Sequence, residues 1–98
     1  MPDYALRVEL NGPPDWTTYN SLHNTLGKYG FFKTIWGDDG RLFHLPDAMY
    51  VGTAQSYDIV AVRDTLKEIV QSVWASSEVI VFRTDAFAWT GLRPVTFA

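Results

Sequence analysis

The chain has no cysteine, and its 98 residues include only two histidines, His23 and His44. Without cysteine there are no disulfide frameworks, thiolate nucleophiles or cysteine metal sites. Two histidines are too few for a histidine-rich metal cage, so no metal is implied. Long apolar runs are missing too. Nothing approaches the roughly 20 residues that cross a bilayer, and the opening MPDYALRVEL lacks the basic start and apolar run of a secretory leader. These absences predict a cytoplasmic protein with no membrane partner. Positive charge is also scarce: the net charge of -3 argues against a general nucleic-acid coat, whose affinity comes from Lys and Arg neutralising phosphates. A local basic patch is compatible with it. Neither Gly12-Pro13-Pro14 nor Gly37-Asp38-Asp39-Gly40 has the spacing or following lysine of a phosphate cradle. No cofactor is implied.

What the chain does have is material for a core. Its 47% apolar and 19% charged residues suit one folded domain over 1–98. The most ordered pattern is DIVAVRDTLKEIVQSV, Asp58 to Val73, in which Ile59, Val62, Leu66, Ile69 and Val73 recur at steps of three and four. That spacing predicts a helix with one buried stripe, capped by Ser56 or Asp58. Arg63, Asp64, Lys67, Glu68 and Gln71 fall opposite, with Asp64 and Lys67 within reach of a weak ion pair.

Tyr4 to Leu10 alternates strictly and predicts a strand burying Tyr4, Leu6, Val8 and Leu10. Asp15 is placed to cap a first helix over Trp16 to Tyr29, with Tyr19, Leu22, Leu26 and Tyr29 on its apolar side and Gly30 at its end. Phe31 to Trp36 and Arg41 to Leu45 read as a hairpin around Asp39-Gly40. Pro46 interrupts the returning strand, which is expected to resume over Ala48 to Val51. Glu78 to Thr84, EVIVFRT, reads as a central strand. The order βαββαβ, with right-handed crossings, predicts an α+β ferredoxin-like fold: a four-stranded antiparallel sheet with both helices on one face. The tail, 85–98, holds Phe87, Trp89, Leu92, Val95 and Phe97. That is too apolar for a solvated terminus: the tail is expected to form an extra C-terminal strand on its own domain or to pack on a partner subunit, and the second course makes those five residues the interface of a homodimer in which the strand adds to the partner's sheet.

Among residues that could do chemistry, Arg7, Lys33, Arg41 and Arg83 fall on predicted strands and could line the sheet face left open by the helices, where single-stranded RNA stacks in several folds of this type. His44 is a proton-transfer candidate, weighed against a solvent-facing strand histidine. His23 lacks an obvious carboxylate partner and reads as a surface residue. Asp38 and Asp39 read as turn residues rather than a carboxylate pair. Four tryptophans in a chain this short point to core or interface use, with Trp89 assigned to the interface.

The segments LRVEL, DWTTYNSLHNTLGKYGF and GDDGRLFHLPDAMY resemble a family of small bacterial proteins around the GhoS-type antitoxin, over Tyr4 to Thr84. The resemblance implies a ferredoxin-like endoribonuclease that cuts the messenger of a membrane-toxin partner, in a fold similar to the small CRISPR-associated integration subunit. Those CRISPR-associated relatives place a metal-binding carboxylate at the end of strand one, where this chain has Leu10-Asn11-Gly12. Loss of that carboxylate argues against metal-dependent cleavage. The expected function is RNA binding with Arg7, Lys33, His44 and Arg83 as contacts, extending to metal-independent cleavage by residues the sequence does not assign. The alternative is a non-catalytic homodimeric module that contacts another protein, as a regulator or inhibitor encoded on a mobile element.

Overall fold

A computed structural model describes residues 2–97 of the chain. Its elements are β1 (Asp3–Leu10), α1 (Trp16–Lys28), β2 (Thr34–Trp36), β3 (Leu42–His44), β4 (Met49–Thr53), α2 (Ile59–Val73) and β5 (Ser77–Thr84). Alternation in β1 decides where the core lies. Tyr4, Leu6, Val8 and Leu10 all face inward and are buried, together with Leu22 and Leu26 of α1, Tyr50 of β4 and Val62, Leu66 and Val70 of α2. Burying such side chains stabilises the fold by about 1.5–3 kcal/mol each, before chain entropy is set against it. The Asp15 carboxylate caps α1 by accepting from the Thr18 N–H at 3.0 Å. Asp58 caps α2 by accepting from Val60 and Ala61, while the Ser56 hydroxyl accepts from the Asp58 N–H. Both anticipated caps of α2 therefore take part.

The buried line of α2 is not quite the expected stripe. Its centre is Val62, Leu66 and Val70, with Ile69 and Val73 at the margin and Ile59 36% exposed. The helix packs against both β5 and α1, so its innermost row points between them and its first turn overhangs. The expected Asp64–Lys67 pair does not form. Asp64 pairs instead with its neighbour Arg63 at 2.7 Å, and Lys67 donates to the carbonyl and hydroxyl of Ser77, which ties the helix to β5.

The sheet also departs from expectation. β1 runs between β4 and β5, antiparallel to both, with Leu6 opposite Tyr50 on one side and Val81 on the other. The hairpin β2–β3 forms a separate two-stranded sheet. One isolated bridge joins it to the main sheet, in which Phe32 and Val51 exchange two backbone hydrogen bonds of 2.9 Å. The chain is thus α+β, with two helices and antiparallel sheets of three and two strands. Pro46 has no N–H for a ladder, and Ala48 takes a left-handed backbone with φ of 62°, so β4 cannot continue β3 and turns away to β1. Gly52 of β4 admits a close approach: a Cβ there would overlap the Gly30 carbonyl oxygen and the Phe31 ring.

The tail packs on its own domain. Phe43 and Pro94 form an isolated bridge. The N–H of His44 donates to the Arg93 carbonyl, and that of Val95 to the Leu42 carbonyl, both at 2.8 Å. The Trp89 ring lies tilted against Phe43 with centroids 5.9 Å apart. Trp89, Leu92 and Val95 are half-buried within the chain, while Phe87 and Phe97 remain exposed. The expected extra strand is therefore a single bridge made in cis, kept short because Pro94 cannot donate. No helix among the described residues is long and apolar enough to cross a membrane.

Candidate functional site

Ala48 ends the cover that β4 gives to β1. Its carbonyl accepts from the Val8 N–H at 3.0 Å, and because the chain then leaves, the last part of β1 has a free edge on that side. A recess of about 350 Å³ lies there, lined by Arg7 and Glu9 of β1, Tyr19 and His23 of α1, Lys33 just before β2, and Asp47 and Ala48. Alternation places Arg7 and Glu9 opposite in parity to the core residues of β1. Lys33 arrives because the Phe32 bridge holds its chain beside β4.

His23 is half-buried here rather than on the surface, and its Nδ1 lies 2.5 Å from the hydroxyl of Tyr50. Burial, with the Lys33 charge in second place, pushes the imidazole below its ordinary value, so the ring is neutral near pH 7. Burial likewise holds the Tyr50 phenol well above its usual range, with Tyr19 adding to the effect. A buried hydroxyl must spend its proton, and His23 is the partner found for it. Tyr50 therefore donates to Nδ1, which leaves the neutral ring with its hydrogen on Nε2. In that tautomer His23 can offer a hydrogen bond from Nε2 and has no lone pair left with which to abstract a proton.

Of the residues singled out in the sequence, the structure brings Arg7 and Lys33 to the same recess. Arg83 is elsewhere. It pairs with Tyr4 in the β1–β5 register, so it shares the helix-covered face with the core residues, and its guanidinium donates to the Tyr57 carbonyl at 2.9 Å. His44 stands opposite Thr34 in the hairpin, beside the tail. Arg41 is paired with Asp39 at 2.8 Å and lies over the Phe43 ring. His23 is the site residue that sequence reasoning missed. Its partner Tyr50 is 27 positions away, and no local pattern announces such a pair. Among the described residues, no three His, Asp or Glu side chains gather to hold a metal ion. Comparison with known family models, with curated proteins and with solved structures finds no match.

Proposed function

We propose that the protein binds single-stranded RNA by holding backbone phosphate in the recess beside β1. The observation behind this reading is the convergence of Arg7, Lys33 and the neutral His23 on one hollow, with the Tyr19 ring in its wall. Arg and Lys supply charge-assisted hydrogen bonds to phosphate oxygens, the Nε2 hydrogen of His23 adds a third donor, and an aromatic wall suits an unstacked base. Glu9 and Asp47 share the recess, so its charge is balanced and affinity depends on placement more than on field. The resemblance to GhoS-type antitoxins points the same way. The architecture is consistent with a frayed ferredoxin-like sheet, since the order β5-β1-β4 is continued by the Phe32 bridge towards β2.

Cleavage of the bound strand would need a group that takes the proton of a ribose 2′-hydroxyl as that oxygen attacks phosphorus, closing a 2′,3′-cyclic phosphate while the bond from phosphorus to the 5′-oxygen breaks and that oxygen takes up a proton from water. Donor-only His23 cannot do so; of the two carboxylates in this recess, Glu9 and Asp47, Glu9 stands on β1 at the same parity as Arg7. The test is binding of a labelled single-stranded RNA across salt concentrations. Replacing Arg7 and Lys33 together should weaken binding and reduce the salt slope by about 0.7 per lost contact, whereas Arg83→Gln should change neither. If RNA is cut, Glu9→Gln should abolish cleavage and His23→Gln should retain it. No binding to any RNA at low salt would refute the assignment.

A further inference from the structure

A second hollow, about 690 Å³ and larger than that recess, shares no lining residue with it. It opens between the start of β1, the end of β4, the hairpin β2–β3 and the returning tail. Phe32, Trp36, Phe87 and Trp89 form its walls. Trp36 is 64% exposed and Phe32 53%, so these rings are held at the surface rather than used in the core. Asp3, Asp38 and Asp85 also line it, while no Lys or Arg does. The three carboxylates come from β1, the hairpin turn and the end of β5, and are brought together only by the fold. The ion pairs found among the described residues, Arg41–Asp39 and Arg63–Asp64, involve none of them.

We propose that this groove is a docking site for an extended basic segment of a partner protein, whose Arg or Lys heads lie over the aromatic faces and against Asp3, Asp38 and Asp85. Aromatic faces attract cations, and a guanidinium also stacks on them while bonding to carboxylates. A wholly apolar occupant would bury three carboxylates without partners, which is strongly unfavourable. Phosphate would meet charge of its own sign, so RNA does not fit here. The volume lies in the usual range of ligand clefts of about 300–1,000 Å³, and the hollow is open to solvent. The site stands apart from the RNA recess, so either can fail alone.

The experiment is a calorimetric titration of the full chain with an end-blocked octapeptide alternating Arg and Ala, followed in parallel by NMR of the Trp36 and Trp89 indole groups. One peptide per chain should bind, with shifts concentrated at those two indoles, and the equivalent Glu-Ala peptide should not bind. Because charge-assisted contacts are lost, Asp38→Asn with Asp85→Asn should weaken affinity about tenfold or more. Trp36→Ala should weaken it as well. Asp64→Asn with Glu68→Gln, on the outer face of α2, changes the net charge equally and should leave affinity unaltered. Equal weakening by the two charge pairs, shifts spread over the surface, or absence of binding at low salt would each overturn the proposal. Melting curves of each variant separate lost binding from lost folding.

Discussion

The Tyr50 hydroxyl lies 2.5 Å from Nδ1 of His23, so that β4 is tied to α1 at the margin of the core. Burial of this imidazole, with the Lys33 charge in second place, makes the protein sensitive to acid. The folded imidazole titrates below its ordinary value of 6.5, so between the folded and unfolded values the unfolded chain binds more protons. This contribution to stability is complete above about pH 6.5 and is lost as pH falls through the folded value. Urea midpoints measured from pH 8 to pH 4 should show this fall, and His23→Gln should flatten it. A variant with the same pH dependence as the parent would show that the buried His23 is not the titrating group.

His23→Leu should cost about 1–3 kcal/mol, because it leaves the buried Tyr50 hydroxyl without its partner. Tyr50→Phe in the same chain should return much of that loss, since both polar groups are then gone. A double-mutant cycle by chemical denaturation measures the coupling. Additive effects would show that the two side chains do not share a proton.

Leu66 is 2% exposed and Ile59 36%, although both belong to one stripe in the sequence. Leu66→Ala should therefore cost about 2–5 kcal/mol, and Ile59→Ala well under half as much. Similar losses in equilibrium unfolding would mean that α2 is rotated so that Ile59 also enters the core.

Gly52→Ala should cost about 1–3 kcal/mol through overpacking. The added Cβ meets the Gly30 carbonyl oxygen and the Phe31 ring, and backbone cannot swing aside as a flexible side chain can. Gly40, unlike Gly52, lies in the left-handed region, with φ of 80° and nothing near its Cβ position, and should lose only the conformational preference of its turn when changed to Ala, about 1 kcal/mol. Thermal melts of the two variants compare crowding with backbone strain directly.

Because Trp89 packs on Phe43 of the same chain, Trp89→Ala should lower the melting temperature without altering oligomeric state. The tilted pair contributes about 0.5–1.5 kcal/mol beyond its area. Sedimentation equilibrium over micromolar concentrations, run beside the melts, decides the matter. A parent dimer that the substitution converts to monomer would restore the tail to the intersubunit role that its sequence suggested.

Much of the local structure was legible in the chain. Period-two alternation placed Tyr4, Leu6, Val8 and Leu10 in the core, and Asp15 and Asp58 marked the helix starts. Each of those effects acts within one turn or one strand, so a few contiguous residues encode it. The apolar tail was visible as well, but apolar content says only that a surface must be covered, and the bridge to Phe43 decided that its own domain covers it. The separation of β3 from β4 turned on Ala48, an ordinary residue in a left-handed conformation that no propensity anticipates. Parity shows that Arg7 and Arg83 each sit on one side of a strand, while only the register Tyr4 opposite Arg83 shows that those sides differ. The recess and the acidic aromatic groove arise from side chains dozens of positions apart. The sequence by itself determined which residues form helices and strands and which must be buried, because those preferences are local. Tertiary structure alone decided which polar and aromatic groups meet, because register, the rotation of α2 and the path of the tail minimise the free energy of the whole chain at once.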